Sequence, residues 1–229
     1  MAGLADFIVE TANNAIATRG RFDFAVSGGS SPKRLYELLT SDEYRSKVDW
    51  SKAYFFLGDE RNVALDHADS NFRMVKESLF EPLGIADDHV FPVDTILTPA
   101  EAAEKYEQLI RKHFNDGPCQ FDLVLLGLGS NSHTASLFPH TEVLHEQKKL
   151  VSGLFIPEVN MFRITFTAPL INQARHIAFL IYGASKAEAV AEVIQGQRNI
   201  EQHPAQLIQP VGGTLEWFLD EGAAGKLRN

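Results

Sequence analysis

A histidine in a glycine-led loop offers the clearest chemistry in this sequence. Gly127-Leu128-Gly129-Ser130-Asn131-Ser132-His133-Thr134-Ala135-Ser136-Leu137-Phe138-Pro139 follows Phe121-Asp122-Leu123-Val124-Leu125-Leu126, which reads as a buried strand. Glycines let the backbone leave that strand sharply and approach a ligand closely. His133 then falls where the strand gives way to a helix, and an imidazole with an ordinary pKa of about 6.5 can accept a proton at neutral pH. A second group, Asp59-Glu60-Arg61, places three charges directly after Phe55-Phe56-Leu57. Its carboxylates could order Arg61 or bind sugar hydroxyls, and Asn71 and Arg73 could return to the same edge. A third, Ser27-Gly28-Gly29-Ser30-Ser31-Pro32, reads as an anion cradle, because free backbone N–H groups and the positive end of a helix dipole suit a phosphate. Lys186 opposes the dipole of the helix it opens, which is unfavourable unless an anion binds nearby. Arg163 opens a strand with a fork of donors suited to phosphate oxygens. Each group also has an ordinary structural reading, as a helix cap, an ion pair or a solvated face.

The elements that must position these residues alternate along the chain. Residues 4–18 carry apolar positions at helical spacing, and Gly20 ends the run. Strands are expected at 22–27, 53–57, 121–126, 163–167, 177–182 and 215–219. Helices are expected from Pro32 to Leu39, from an Asp69 or Ser70 cap to about Phe80, after Pro99 to about Phe114, and from Ser185 to about Ile194. This order predicts an α/β fold, a mostly parallel, doubly wound sheet with helices on both faces, in one domain spanning 1–229. Right-handed crossovers bring all the strand carboxyl ends to one edge, where such sheets bind ligands. Four exits on that edge share one form, glycine, then polar residues, then helix, at 28–30, 58–61, 127–133 and 183–186. Four such exits with complementary polar groups exceed what connection requires.

Composition narrows the class. The chain has 229 residues, 45% apolar and 22% charged, which suits an ordinary globular protein with a full core. A formal charge of −9 argues against nucleic acid or an anionic membrane as partner. No run approaches the roughly 20 apolar residues of a membrane span. The N-terminus lacks the basic start and apolar stretch of a signal peptide. The single cysteine, Cys119, lies in a turn and suits a reducing, cytoplasmic setting. His133, His140 and His145 match no common zinc spacing, and no Gly-x-Ser-x-Gly elbow is present. The glycines at 127 and 129 resemble a dinucleotide fingerprint, but serine replaces its third glycine and no clear acidic partner follows.

Read together, these segments resemble the 6-phosphogluconolactonase family over nearly the whole length. The similarity is carried by Phe24-Ala25-Val26-Ser27-Gly28-Gly29-Ser30-Ser31-Pro32-Lys33 with Leu35-Tyr36, and by Gly58-Asp59-Glu60-Arg61 followed by Asp69-Ser70-Asn71. It continues through 121–127, His133-Thr134-Ala135-Ser136-Leu137-Phe138-Pro139, Pro204-Ala205, Pro210, and Trp217 with Asp220. The resemblance implies hydrolysis of 6-phospho-D-glucono-1,5-lactone in the oxidative pentose phosphate pathway, without metal or organic cofactor. It implies His133 as general base, Gly28, Gly29, Ser30, Arg163 and Lys186 around the phosphate, and Asp59 and Arg61 at the reacting end. Glu60, Asn71 and Asn131 would support them. The expected partner is a small phosphosugar lactone, bound by a monomer or small homo-oligomer.

The chain departs from the family in two places. Ser130, Asn131 and Ser132 replace a common Pro-Asp-Gly before the histidine, which removes a carboxylate and a glycine suited to positive φ. The chain also starts almost at the first helix, so an edge strand is expected to be missing or truncated. Two alternatives share the fold. A non-catalytic sugar-phosphate binder would fit the loss of the acid at 131. A glucosamine-6-phosphate deaminase would carry glutamate five residues after the histidine, where this chain has Phe138.

Overall fold

The computed structural model describes residues 1–228. Its main sheet has six strands, all parallel, in the order β4-β2-β1-β5-β8-β9. These are β1 (Phe22–Val26), β2 (Ala53–Leu57), β4 (Val90–Phe91), β5 (Leu123–Leu126), β8 (His176–Ile181) and β9 (Thr214–Leu219). β1 and β5 are fully buried, as expected of strands covered on both faces. The helices are α1 (Ala2–Arg19), α2 (Ser30–Leu39), α3 (Asn71–Val75), α4 (Glu81–Leu83), α5 (Pro99–His113), α6 (Ala168–Ile171), α7 (Ala187–Gln195) and α8 (Glu221–Ala224). The main helix ends follow local chemistry. Gly20 closes α1 at φ 78°, and Thr98 with Glu101 forms a capping box on α5.

From β1 the chain winds outward through β2 to β4, then returns across β1 to lay down β5, β8 and β9 on the other side. The order therefore reverses between β1 and β5. In open α/β sheets the crevice outside the carboxyl ends at such a reversal is where ligands bind. The Gly28-Gly29 turn leaves β1, and the Gly127 loop leaves β5.

Three parts of the structure depart from the sequence reading. Arg163 lies inside β7 (Met161–Phe166), which belongs to a second, antiparallel sheet with β3 (Asp59–Arg61) and β6 (Val151–Ile156), not to the parallel sheet. Asp59-Glu60-Arg61 is itself a strand of that sheet and leads to no helix directly. No helix follows His133 either, because residues 127–141 form an irregular loop with positive φ at Ser132, Ala135 and His140. Smaller differences concern ends. α2 starts at Ser30 with Gly29 as its cap, two residues before Pro32, and the helix capped by Ser70 runs on through a π turn (Lys76–Phe80) into α4.

Two buried tyrosines hold the ends of β1 and β2, where the ladder stops. The Tyr36 hydroxyl accepts from the Ser27 N–H at 3.0 Å and donates to the Ser27 carbonyl at 2.8 Å. The Tyr106 hydroxyl accepts from the Leu57 N–H at 2.8 Å and donates to the Phe91 carbonyl at 3.1 Å. Burial pushes both phenols far above their ordinary pKa, so they stay neutral donors. Tyr36→Phe would leave the Ser27 N–H and carbonyl without that partner beside the glycine turn. It is expected to cost about 1–3 kcal/mol, read as a lower denaturant midpoint at unchanged m-value.

Candidate active site

Both glycine exits open onto one cavity of about 240 Å³. Ser27, Gly28, Gly29, Asp59, Arg61, Asn71, Arg163, Lys186 and His133 all line it. The structure thus gathers residues from β1, β3, β7, the β5 loop and the turn before α7 at the strand reversal. Ser30 and the supporting side chains Glu60 and Asn131 do not line it, and Ser30 is exposed on the first turn of α2. Arg73 points elsewhere, donating to Glu77 and to the Asp66 carbonyl.

The glycines are required by close approach. A Cβ on Gly28 would overlap the Asn71 side-chain amide, and one on Gly129 would overlap the His133 imidazole. Gly29 caps α2 at φ 111°, so no side chain occupies the first-turn N–H groups of that helix.

Among the described residues the cations of this cavity make no ion-pair contact, although the Asp59 carboxylate shares the cavity and its charge acts on Arg163. Arg61 and Arg163 are direct cross-strand partners on β3 and β7. Like charges placed opposite one another destabilise a sheet. Among the described residues none of Arg61, Arg163 and Lys186 forms an ion pair. The Nε atoms of both arginines are buried without a hydrogen-bond partner, although Arg61 Nη1 donates to the Asp69 carbonyl at 2.5 Å. Burial depresses the pKa of Arg163 and Lys186. An oxyanion with several acceptor oxygens would satisfy this arrangement.

The three acidic-strand residues divide their tasks. Asp59 faces the cavity, where its carboxylate accepts from Ser136 Oγ at 2.8 Å and Asn71 Nδ2 at 3.4 Å. Glu60 points the other way and is 1% exposed. It accepts from the backbone N–H groups of Arg61, Asn71 and Phe72 and from Ser70 Oγ, so it joins β3 to the start of α3. Burial raises its pKa, and those backbone donors oppose the shift. Neither carboxylate forms an ion pair with the Arg61 guanidinium, contrary to the ordering of Arg61 that the sequence suggested.

His133 is half-buried, with its ring stacked on Phe138 at 3.9 Å between centroids and 11° between planes. Nδ1 lies 2.6 Å from Asn131 Oδ1. Burial first, then Lys186 and Arg163, pull its pKa down to about 4, against the opposing charges of Asp59 and Glu158. The free ring should therefore stay neutral as pH falls from 6.5 to about 4. An anion seated by Lys186 and Arg163 should raise that midpoint. NMR titration of the His133 ring, with and without inorganic phosphate, checks both directions.

Ser132 does take the positive φ expected of glycine, at 64°. Its Oγ bonds His203 Nδ1 at 3.0 Å, and its carbonyl accepts from the Ala205 N–H at 3.0 Å. The C-terminal segment thus holds a backbone shape that glycine would adopt unaided.

Ser136, Phe138, Glu158 and His203 carry roles that the sequence reading did not assign. Ser136 and Phe138 sit within the quoted histidine motif. Glu158 and His203 reach the loop only through the fold. His140 and His145 both face Glu201 rather than His133. Among the described residues no cluster of three or more His, Cys, Asp or Glu is placed to hold a metal, and no helix is long and apolar enough to cross a membrane.

Known proteins are similar to this chain in architecture and in sequence. A 6-phosphogluconolactonase from a Nostoc species is 41% identical over 97% of this chain and 91% of its own length. One from a Synechocystis species is 41% identical over 93% of this chain and 88% of its own. The structure of 6-phosphogluconolactonase from Trypanosoma brucei superimposes with a TM-score of 0.87 at 32% identity, covering 99% of this chain and 94% of that one. The model of the glucosamine-6-phosphate isomerases/6-phosphogluconolactonase family matches residues 1–217, and the chain belongs to that family.

Proposed function

We propose that this chain hydrolyses 6-phospho-D-glucono-1,5-lactone to 6-phosphogluconate, as a step of the oxidative pentose phosphate pathway, with His133 as general base. The observation that carries this reading is one cavity that combines three unpaired cations with an imidazole whose Nδ1 is already occupied. The substrate phosphate, with about −1.5 to −2 charges at pH 7, would sit between the first turn of α2, Arg163 and Lys186. Asp59 would accept from sugar hydroxyls, and Arg61 would orient the lactone end.

With Nδ1 engaged, Nε2 is left to take a proton from water as its oxygen bonds C1. The tetrahedral oxyanion then collapses, the bond from C1 to the ring oxygen breaks, and the imidazolium returns the proton to that oxygen. Binding at the remote phosphate holds C1 near the base and lowers the barrier by positioning. Bound phosphate also offsets Lys186 and Arg163, which shifts the His133 pKa towards the working pH. This scheme uses no metal or organic cofactor.

Phe138 weighs against the deaminase alternative. It is 4% exposed and its ring covers His133, where a deaminase would place glutamate. The test of phosphate anchoring is a comparison of substrates. Unphosphorylated glucono-1,5-lactone is expected to show kcat/KM about 100-fold lower, or less, as charge-assisted bonds are lost. Equal values for the two lactones would contradict the proposed phosphate site.

A further inference from the structure

Position 131 holds an amide where the family commonly holds an acid, yet a carboxylate stands directly behind it. Asn131 Nδ2 donates to both oxygens of Glu158, each at 2.8 Å. Asn131 Oδ1 lies 2.6 Å from His133 Nδ1 and accepts from the His133 backbone N–H at 3.2 Å. The two ends of an amide are chemically opposite, and an ionised carboxylate only accepts. The end facing Glu158 must therefore be the NH₂, and the end facing His133 must be the carbonyl. A carbonyl at Nδ1 requires the imidazole proton there and leaves the Nε2 lone pair free. Turned over, the amide would select the tautomer with hydrogen on Nε2, which cannot accept the water proton.

Glu158 has no evident structural reason to be acidic. It lies in the exposed turn Pro157–Val159 between β6 and β7, and it forms no ion pair among the described residues. Asn160 at φ 47° completes that turn. The same hairpin carries Arg163, so one element brings the phosphate cation to the cavity and this carboxylate against Asn131, behind the His133 loop.

We propose that Glu158 is a positioning residue that acts through Asn131. It fixes the amide so that His133 keeps its proton on Nδ1, and its charge stabilises the imidazolium formed during turnover. The inference rests on His133 being the base of the proposed hydrolysis.

The test combines initial rates with ¹⁵N NMR of the His133 ring, in Glu158→Ala and Glu158→Gln, each alone and with Asn131→Asp. The unmodified protein should show one tautomer, protonated at Nδ1. Glu158→Ala should give mixed tautomers and a kcat about ten-fold lower, with KM little changed. Glu158→Gln keeps an acceptor and should fall between. Asn131→Asp supplies a carboxylate directly to Nδ1 but cannot donate to Glu158. In that background no amide remains to be oriented, so Glu158→Ala should leave the tautomer unchanged and lower kcat by no more than about two-fold, through the loss of its charge alone.

A lower melting temperature in Glu158→Ala with unchanged tautomer and kcat would overturn the proposal, leaving Glu158 a simple tether between hairpin and loop. An equal loss of kcat in both backgrounds would overturn it too. If the unmodified protein fails to hydrolyse the lactone, the proposed function falls. The tautomer of Glu158→Ala still decides the relay in that case, mixed supporting it and unmixed refuting it.

Discussion

His133→Gln is expected to lower kcat for 6-phospho-D-glucono-1,5-lactone by about 10²–10⁴-fold while KM stays within about two-fold. Glutamine keeps a planar polar group beside Phe138 and an N–H for Asn131 Oδ1, so the loop should hold its shape. It offers nothing with the basicity of Nε2. The unpaired cations lie on β3, β7 and the turn before α7, so substrate should still bind. Initial rates must be corrected for spontaneous opening of the lactone, which sets the floor of the assay. A variant that keeps more than a tenth of kcat would remove His133 from the role of base. The imidazole's depressed pKa sets the sign of a second effect. Between pH 6.5 and about 4 the unfolded chain binds a proton that the folded ring refuses, so His133 makes the native state less stable as pH falls through that window. His133→Gln should flatten that part of the stability profile.

Arg163→Met is expected to separate activity from stability. Hydrogen bonds to charged groups contribute about 1.5–3 kcal/mol, so kcat/KM should fall about 10–150-fold, largely through KM. The fold should lose nothing comparable. Arg163 is 8% exposed, faces Arg61 across the ladder, and has a buried Nε without a partner. Methionine fills similar space without the like-charge contact or the unsatisfied donor. The variant should melt at the same temperature or higher, as stored unfavourable charge is released. Inorganic phosphate should raise the melting temperature of the unmodified protein and do much less for the variant. A destabilised variant with unchanged kcat/KM would make Arg163 a structural residue.

The main sheet is legible in the sequence because parallel strands covered on both faces are short apolar runs that end at glycine. Phe22-Asp23-Phe24-Ala25-Val26 and Leu123-Val124-Leu125-Leu126 are of this kind, and β8 is another. The small antiparallel sheet is not legible in the same way. β3 is Asp-Glu-Arg, whose charges hide a strand held by pairing with the distant β7. The helix expected after His133 fails for a related reason. Thr134-Ala135-Ser136-Leu137-Phe138 has the composition of a helix start, but Ala135 at φ 47° and bonds from Thr134 to Gly127 and Ser136 to Asp59 set a loop instead. The candidate site is legible where it lies on strand exits, as with Gly28, Asp59 and His133. Glu158 and His203 are invisible there because only the tertiary fold brings a hairpin turn and a C-terminal segment against residues 131–132.

The acid missing at position 131 is the strongest sequence argument for a non-catalytic binder. The structure weakens that argument, since Asn131 Oδ1 occupies Nδ1 and Glu158 sits behind the amide. What separates an enzyme from a binder is turnover itself. The most direct measurement is the decay of freshly generated 6-phospho-D-glucono-1,5-lactone at neutral pH, followed with and without the protein and with His133→Gln at the same concentration. Decay that quickens in proportion to unmodified protein, and returns to the spontaneous rate with the variant, is the predicted result. Decay at the spontaneous rate with unmodified protein, while phosphate still raises its melting temperature, would contradict it and leave a sugar-phosphate binder.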